Sequence, residues 1–552
     1  MKDKQLVQVD EAAQGGALDG VRDDHNIKEK LTWLKDAGFG LFIHWTVDVQ
    51  LGSVISHSLV GSSPDYARRY FDELPQAFMA EDCNPERLAR LTRISGAKYA
   101  VFTTKHHNGF CMWDTKSTPF SIMNTPYGKD IVRTYVDAFR AQGIAVGFYF
   151  SPEDFWFLHT HGQTITRNPT SAYPKDIMDQ YRAHLTLQMQ ELMGNFGPID
   201  LIFFDGGELM KDEHGESLQE LCKELAWSLR PCILVTRGAI KTPEQQLPGV
   251  GMPETWEACL TMSTAWGYQP TNDLYKTGAH LIDLLMRTRA MGGALLLNIG
   301  PDADGAVCGQ QEGLLRELGL FNFINHEAIY GVRPWSIAEE GDILLLSDRS
   351  GQTVYAVLSD QKGWDRGARS AFTLQSVRAT EHSQASALGA SGELTEYRPD
   401  LDAGSYLEQT DQGLTVSVMK SQRIYCGMQW PNPMVVKITH VERAFDPMAV
   451  HTLAEETGAD GVPVLAANVA TLGSFDKADV YFQWRRYPGF AMASYEADWQ
   501  ETERVAVTAP GEVRIPLPGL TPMTTWQVRA VIENDKNRTR GEMRLFVTEG
   551  GT

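Results

Sequence analysis

Long hydrophobic runs are missing from this chain. No stretch approaches the roughly 20 apolar residues that a membrane-spanning helix needs, so no membrane partner is expected. The first residues, MKDKQLVQVDEAAQGGALDG, contain no apolar core of a signal peptide, and the expectation is a cytoplasmic protein. An Asn537-Arg-Thr sequon carries no weight without secretion. Positive charge is also short: 50 Lys and Arg stand against 70 Asp and Glu, a formal charge of −20. Phosphate recognition needs clustered cations, so a nucleic-acid partner is excluded. The excess acid fits a neutral or cationic small substrate, and it serves solubility as well.

Cysteine is scarce. The seven (Cys83, Cys111, Cys222, Cys232, Cys259, Cys308 and Cys426) are scattered, odd in number and free of any C-x-x-C. That excludes a disulfide framework and a zinc ribbon and leaves reduced thiols. No serine nucleophile elbow, phosphate loop or H-E-x-x-H occurs, and no G-x-G-x-x-G turn follows the first strand-like segment.

What is present is alternation. Between residues 28 and 335, short apolar runs (GFGLFIHW, AKYAVFTT, IAVGFYFS, IDLIFFDGG, CILVTRG, GALLLNIGP) are separated by amphipathic segments such as NPERLARLTRIS and DIVRTYVDAFRAQG. Apolar residues recur there at three and four, and several segments end in glycine, which predicts helices. Strands alternating with helices imply an α/β domain with a parallel sheet, and the number of units predicts a (β/α)8-like barrel. A doubly wound sheet is the second choice, weakened by the absent dinucleotide turn. After YGVRPW the texture becomes all-β, with period-two runs between Gly, Asp and Ser, which predicts C-terminal β-sandwich domains. The expected organisation is an N-terminal extension (1–27), a catalytic barrel (28–335), a sandwich (336–432) and a fibronectin type III-like sandwich (433–552), with QWPNPMV as the linker.

Barrel enzymes collect their chemistry at the C-terminal ends of the strands. Those ends carry His44 and Trp45; Lys105, His106, His107 and Asn108; Tyr149, Ser151, Glu153 and Asp154; Asp205 and Glu208; Arg237; and Asn298. The stretch PETWEACLTMSTAWGY adds Glu254, Trp256, Glu257 and Trp266. Aromatic platforms beside carboxylates and imidazoles suit a sugar, whose C–H faces pack on rings while its hydroxyls take hydrogen bonds. Two carboxylates can break a glycosidic bond, one at the anomeric carbon and the other protonating the leaving oxygen. Asp205 stands out, because a carboxylate directly after LIFF is costly to bury without a task. His44, His106, His107 and Asp205 could instead ligate zinc, but no zinc-site spacing supports this, so no metal and no other cofactor are expected.

In FGLFIHW, GAKYAVFTTKHHNGF, LIFFDGG, TWEACLTMSTAWGY and GGALLLNIGPDADG the chain resembles the α-L-fucosidases of glycoside hydrolase family 29 over roughly residues 28–335. The resemblance implies a barrel followed by a β-sandwich, a retaining mechanism and a terminal fucose on a glycan or glycoconjugate as substrate. It places the nucleophile at Asp205 and the acid/base at Glu257, with Glu254 and Glu208 as alternatives. It assigns His44, His106, His107, Tyr149, Arg237, Trp256 and Trp266 to the sugar pocket. Two departures stand out: residues 46–71 show no acidic–aromatic sugar-binding pair, for which His57 is the expected substitute, and Asn108 stands where an Asp is common. A related sugar of the same hydroxyl stereochemistry, or a non-catalytic carbohydrate-binding protein on the same scaffold, are the alternatives. Homo-oligomerisation is left open.

Overall fold

A computed structural model describes residues 25–548 except 53–55, 170, 272, 360–366, 422–431, 459–460, 490–491 and 497. Cys426 and the start of the expected linker lie outside the described residues.

The N-terminal half is a curled parallel sheet of seven strands: β1 (Phe39–Ile43), β2 (Tyr99–Lys105), β3 (Ala145–Phe150), β4 (Leu201–Phe204), β5 (Leu234–Val235), β6 (Glu257–Thr261) and β7 (Ala294–Ile299). They lie in the order β5-β4-β3-β2-β1-β7-β6. Helices cover the outside: α1 (Lys28–Ala37), α2 (Pro64–Ala77), α3 (Pro85–Ser95), α4 (Ile131–Ala141), α5 (Phe155–Thr160), α6 (Lys175–Asn195), α7 (Leu218–Leu229), α8 (Gly278–Ala290) and α9 (Gly309–Ile324). Their starts follow local chemistry. Asn84 caps α3 by accepting from the Arg87 amide at 2.8 Å, and Asp130 does the same for α4 through Arg133 at 2.8 Å. Strands buried on both faces sort their side chains by period two. Phe42, Val101, Tyr149, Phe203 and Leu296 fill the barrel, while Leu41, Ile43, Phe102 and Phe204 pack against the helices.

Strands β5 and β6 do not pair directly. An irregular segment after β5 runs along β6 instead, through parallel bridges from Lys241 to Trp256 and from Glu244 to Cys259. The expected barrel-like architecture is therefore present, with this segment in place of a regular closing strand.

Two antiparallel sandwiches follow. The first faces a five-stranded sheet of β8 (Arg333–Glu340), β9 (Ile343–Ser347), β10 (Thr353–Leu358), β12 (Val377–Ala387) and β15 (Met434–Arg443) with a three-stranded sheet of β11 (Arg369–Leu374), β13 (Tyr406–Thr410) and β14 (Gly413–Met419). The second joins β16 (Ala449–Thr452), β17 (Glu456–Thr457), β18 (Pro463–Thr471) and β22 (Gly511–Pro516) to a six-stranded sheet. That sheet contains β19 (Ala478–Arg486), β20 (Gln500–Glu501), β21 (Val505–Val507), β23 (Thr525–Glu533), β24 (Arg538–Arg540) and β25 (Arg544–Val547). The expected boundary at 433 needs correction. Strand β15 pairs with β10 and β12, so it belongs to the first sandwich, and the second begins after it. Among the described residues, no helix is long and apolar enough to cross a membrane.

Candidate active site

Asp205 follows β4 directly, at the C-terminal rim of the barrel. Gly206 behind it has φ +79°, and a Cβ there would stand 2.5 Å from the Glu153 carboxyl carbon, so only glycine permits this turn. Three elements converge on the carboxylate. Tyr149 on β3 donates its hydroxyl to Oδ2 at 2.8 Å, and Arg237 after β5 donates from Nη1 to Oδ1 at 3.2 Å. His107 brings Nε2 to 3.5 Å of Oδ2. A second guanidinium, that of Arg167, lies 4.0 Å from Oδ1. Burial alone would push the Asp205 carboxyl up. The His107 contact and the two guanidiniums outweigh it and hold the group well below the ordinary carboxylate range.

The imidazoles are held as a set. His44 meets Asn298 through Nδ1, His106 meets the Ser56 hydroxyl at 2.6 Å, and His107 meets Ser151 at 2.6 Å. Glu153 lies 3.1 Å from Nδ1 of His107. The His106 ring stacks on Tyr149 with centroids 5.3 Å apart, and Trp266 lies 5.0 Å from His44. Desolvation lowers all of them: His44 to about 4, His107 to about 3 and His106 well below its ordinary value. They are neutral at pH 7; His44 and His106 use Nδ1 on their neighbours and can present Nε2 to a hydroxyl, whereas Nε2 of His107 faces Asp205. His57 sits at the exposed edge of the cluster, 5.5 Å from His107. The acidic–aromatic pair of this region is Asp48 with Tyr70, hydrogen-bonded at 2.6 Å. Both are buried, and Asp48 also accepts from the Ser56 amide at 2.6 Å, so the pair supports Ser56 and His106 from behind.

The second carboxylate is not where the sequence places it. Glu257 is the first residue of β6, in register with Ala294 at the start of β7, so it lies near the barrel's N-terminal end. It is fully buried and accepts a hydrogen bond from Tyr99, the first residue of β2, at 2.5 Å. Trp256, one residue earlier, is buried against Gly293, and a Cβ on that glycine would meet the indole at 2.5 Å. Neither faces Asp205, which corrects both assignments. Glu254 is exposed beside Lys241, and Glu208 is exposed with Gln219 as its partner at 2.7 Å.

Glu244, which sequence reasoning passed over, stands in the right place. It rides on the irregular closing segment and accepts from Nη2 of Arg237 at 2.7 Å, while Nη1 of the same guanidinium holds Asp205. One planar fork therefore bridges the two carboxylates, one on each terminal nitrogen. Burial raises the Glu244 carboxyl; Arg237 opposes the rise and the Asp205 charge adds to it. One carboxyl is thus pushed down beside another pushed up. The only sequence signal for Glu244 is its place seven residues after Arg237 in TPEQQLP, which reads as a loop. Arg167 lies in an aperiodic loop with no signal at all. His106, His107 and Asp205 also bring one donor atom each within 4.8 Å of one another, a spacing that a divalent cation could use.

Residues 10–327 match the family model for α-L-fucosidase. The chain belongs to the α-L-fucosidase family. It is 28% identical over 372 residues to the plasma α-L-fucosidase of Homo sapiens, covering 59% of this chain and 75% of that one. It is also 28% identical over 338 residues to a putative α-L-fucosidase of Caenorhabditis elegans, covering 55% of this chain and 67% of that one. Among solved structures, α-L-fucosidase isoenzyme 1 from Paenibacillus thiaminolyticus superposes with a TM-score of 0.60 at 25% identity, over 75% of this chain and 99% of that one. A family 29 α-L-fucosidase from Bacteroides thetaiotaomicron, trapped as a covalent intermediate with 2-fluoro-fucosyl fluoride, shares the fold with a TM-score of 0.60 at 19% identity. That match covers 77% of this chain and 98% of that one.

Proposed function

We propose that this member of the family is a retaining exo-α-L-fucosidase that releases terminal L-fucose from a glycan or glycoconjugate, with Asp205 as nucleophile and Glu244 as acid/base. The observation that carries the reading is the Arg237 fork, which holds a low-pKa carboxylate on one nitrogen and a raised carboxyl on the other. In the first step Asp205 attacks the anomeric carbon while Glu244 gives its proton to the departing glycosidic oxygen. Arg237 and Tyr149 keep the attacking oxygens aimed. A fucosyl ester on Asp205 results. In the second step Glu244, now ionised, takes a proton from water as that water attacks the same carbon from the face the aglycone left. Two inversions give retention.

The neutral imidazoles of His44 and His106 read the sugar hydroxyls, and Trp266 packs on its apolar face. A sugar lacking one of those hydroxyls leaves a buried ring nitrogen unpaired, which is how such a site discriminates. On this reading the convergent donor atoms of His106, His107 and Asp205 go to the sugar and to the nucleophile's role rather than to a metal. The test is hydrolysis of an aryl α-L-fucoside followed by proton NMR. The α-anomer of fucose is expected as the first product; the β-anomer, or no turnover on any α-L-fucoside, would overturn the reading.

A further inference from the structure

The Glu244 segment is gripped from its far side by the C-terminal sandwich. Two residues on, Gln246 accepts through Oε1 a hydrogen bond from Nε2 of Gln527 on β23, at 2.8 Å and across 281 residues of sequence. Neither side chain reaches solvent: Gln246 is 4% exposed and Gln527 is 0%. The Gln527 amide is itself oriented, because its Oε1 accepts from Nε of Arg485 on β19 at 2.7 Å. Further along, the Met543 amide donates to the Pro248 carbonyl at 2.9 Å. Gly249 lies so close to the sandwich that a Cβ would stand 3.1 Å from the Gly541 carbonyl oxygen.

The near side of the segment is tied to the barrel. The Gln245 amide donates to the Cys259 carbonyl at 3.0 Å, and Gln245 Oε1 accepts from the Thr261 amide at 3.3 Å and its hydroxyl at 3.1 Å. Gln245 has φ +59°, a conformation that a side-chain-bearing residue keeps only where its surroundings dictate it. Residues 243–249 therefore form a strap clamped between β6 and the second sandwich, with Glu244 at its barrel end.

We propose that the C-terminal sandwich is part of the catalytic apparatus, with Gln527 acting through Gln246 as a positioning residue that fixes Glu244 against Asp205. This rests on the reading of Glu244 as the acid/base. A proton donor must come within hydrogen-bond reach of the glycosidic oxygen, and a misplacement of about 1 Å can cost on the order of a hundredfold in rate. A strap freed from its outer anchor keeps the nucleophile and the sugar contacts but loses the aim of the acid.

The experiment uses the full chain with Gln527→Ala, Gln246→Ala and the double variant, assayed on aryl α-L-fucosides with good (dinitrophenyl) and poor (methoxyphenyl) leaving groups. The expected result is a loss of about tenfold or more in kcat/KM on the poor leaving group and less than about twofold on the good one, with the double variant no worse than the singles. His280→Ala is the control for docking alone. Its ring stacks on Tyr495 at 3.9 Å across the same domain junction, away from the strap. That variant should lower the melting temperature without changing leaving-group dependence. If Gln527→Ala does not fold, Gln246→Ala, altered on the barrel side, carries the test.

Equal losses on both substrates, or a fall in melting temperature with unchanged kinetics, would reduce Gln527 to a docking contact and overturn the proposal. Glu244→Ala run alongside keeps the two claims apart. A heightened leaving-group dependence in Glu244→Ala with none in the glutamine variants overturns the positioning role alone. Its absence in Glu244→Ala overturns the acid assignment and the positioning role with it.

Discussion

At the scale of single residues the chemistry turns on environments that push like groups apart. Asp205→Asn keeps the Tyr149 and Arg237 partners within reach but removes the nucleophilic oxygen, so the fold should persist while kcat falls by several powers of ten on every fucoside. Near-normal turnover in that variant would remove Asp205 from the mechanism. Glu244→Ala should spare activated aryl fucosides relative to poor ones, and added azide should restore its turnover by taking the place of activated water on the fucosyl ester, giving α-fucosyl azide. The pH profile follows from the same pair. Activity needs Asp205 ionised, so it fails only as pH drops through a value below the ordinary carboxylate range. It also needs Glu244 protonated, so it fails as pH rises through a value above the ordinary glutamate range. Glu257 makes the contrasting case. Burial pushes it to about 7, against the Tyr99 hydrogen bond and Arg237. The folded chain holds a proton there that the unfolded chain releases above about 4.5, so the stability it contributes is full below that pH and is lost as pH rises through about 7. Glu257→Gln, which still accepts from Tyr99, should keep its leaving-group dependence and gain on the order of 3 kcal/mol relative to the wild type at pH 8 against pH 4. Urea denaturation at the two pH values measures this, and a parallel shift in both proteins would refute it.

At the scale of elements, the ends of β1, β2, β3 and β4 deliver His44, the His106–His107 pair, Tyr149 and Asp205 to one rim. Their convergence invites the metal question. Prolonged chelation should leave fucosidase activity unchanged, because Ser56 and Ser151 already engage Nδ1 of His106 and His107 and Nε2 of His107 faces Asp205, which leaves Nε2 of His106 for a hydroxyl. Loss of activity on chelation, with recovery on one divalent ion, would contradict the sugar-contact reading. These strand ends were legible in the sequence because each is an apolar run that stops abruptly at polar residues. Strand β6 was not. In TWEACLT the carboxylate stands at the start of the strand, and a one-dimensional pattern does not say which end of a short apolar run faces the pocket. The resemblance places the acid/base on this W-E motif, whereas Tyr99, 158 residues away, is what satisfies the carboxyl. Glu244 was hidden for the opposite reason. Its segment is irregular, closed by isolated bridges rather than a strand, and Thr-Pro-Glu-Gln carries the signature of a turn. The strap also owes its shape to residues near position 527, which no local window contains.

At the scale of the whole molecule, the barrel and the second sandwich meet over charge as well as over the strap. Glu339 on β8 receives Nη1 of Arg287 at 2.8 Å from the barrel helix α8, and it pairs with Arg540 of β24. Asp283 holds the other side of Arg287 at 2.8 Å. Glu339 thus joins three domains: it belongs to the first sandwich, and its two arginines come from the barrel and the second sandwich. The boundary expected at 433 would have cut β15 away from β10 and β12, its partners in the first sandwich. Both arginines are about four-fifths covered, with side-chain exposures of 19% and 20%. Removing their shared partner leaves Arg540 without this carboxylate and Arg287 with Asp283 alone. Breaking a buried pair in this way costs about 3–5 kcal/mol, far more than the loss of a surface ion pair. Glu339→Ala should lower stability by an amount near that range, reduced somewhat by residual solvent, whereas Glu339→Gln should lose less because its amide oxygen can still accept from one arginine. If the junction couples the domains, calorimetry of the wild type should show a single transition, and Glu339→Ala should split off the second sandwich at lower temperature. Two transitions already present in the wild type, with the lower one unmoved by Glu339→Ala, would mean that the charge cluster holds nothing together.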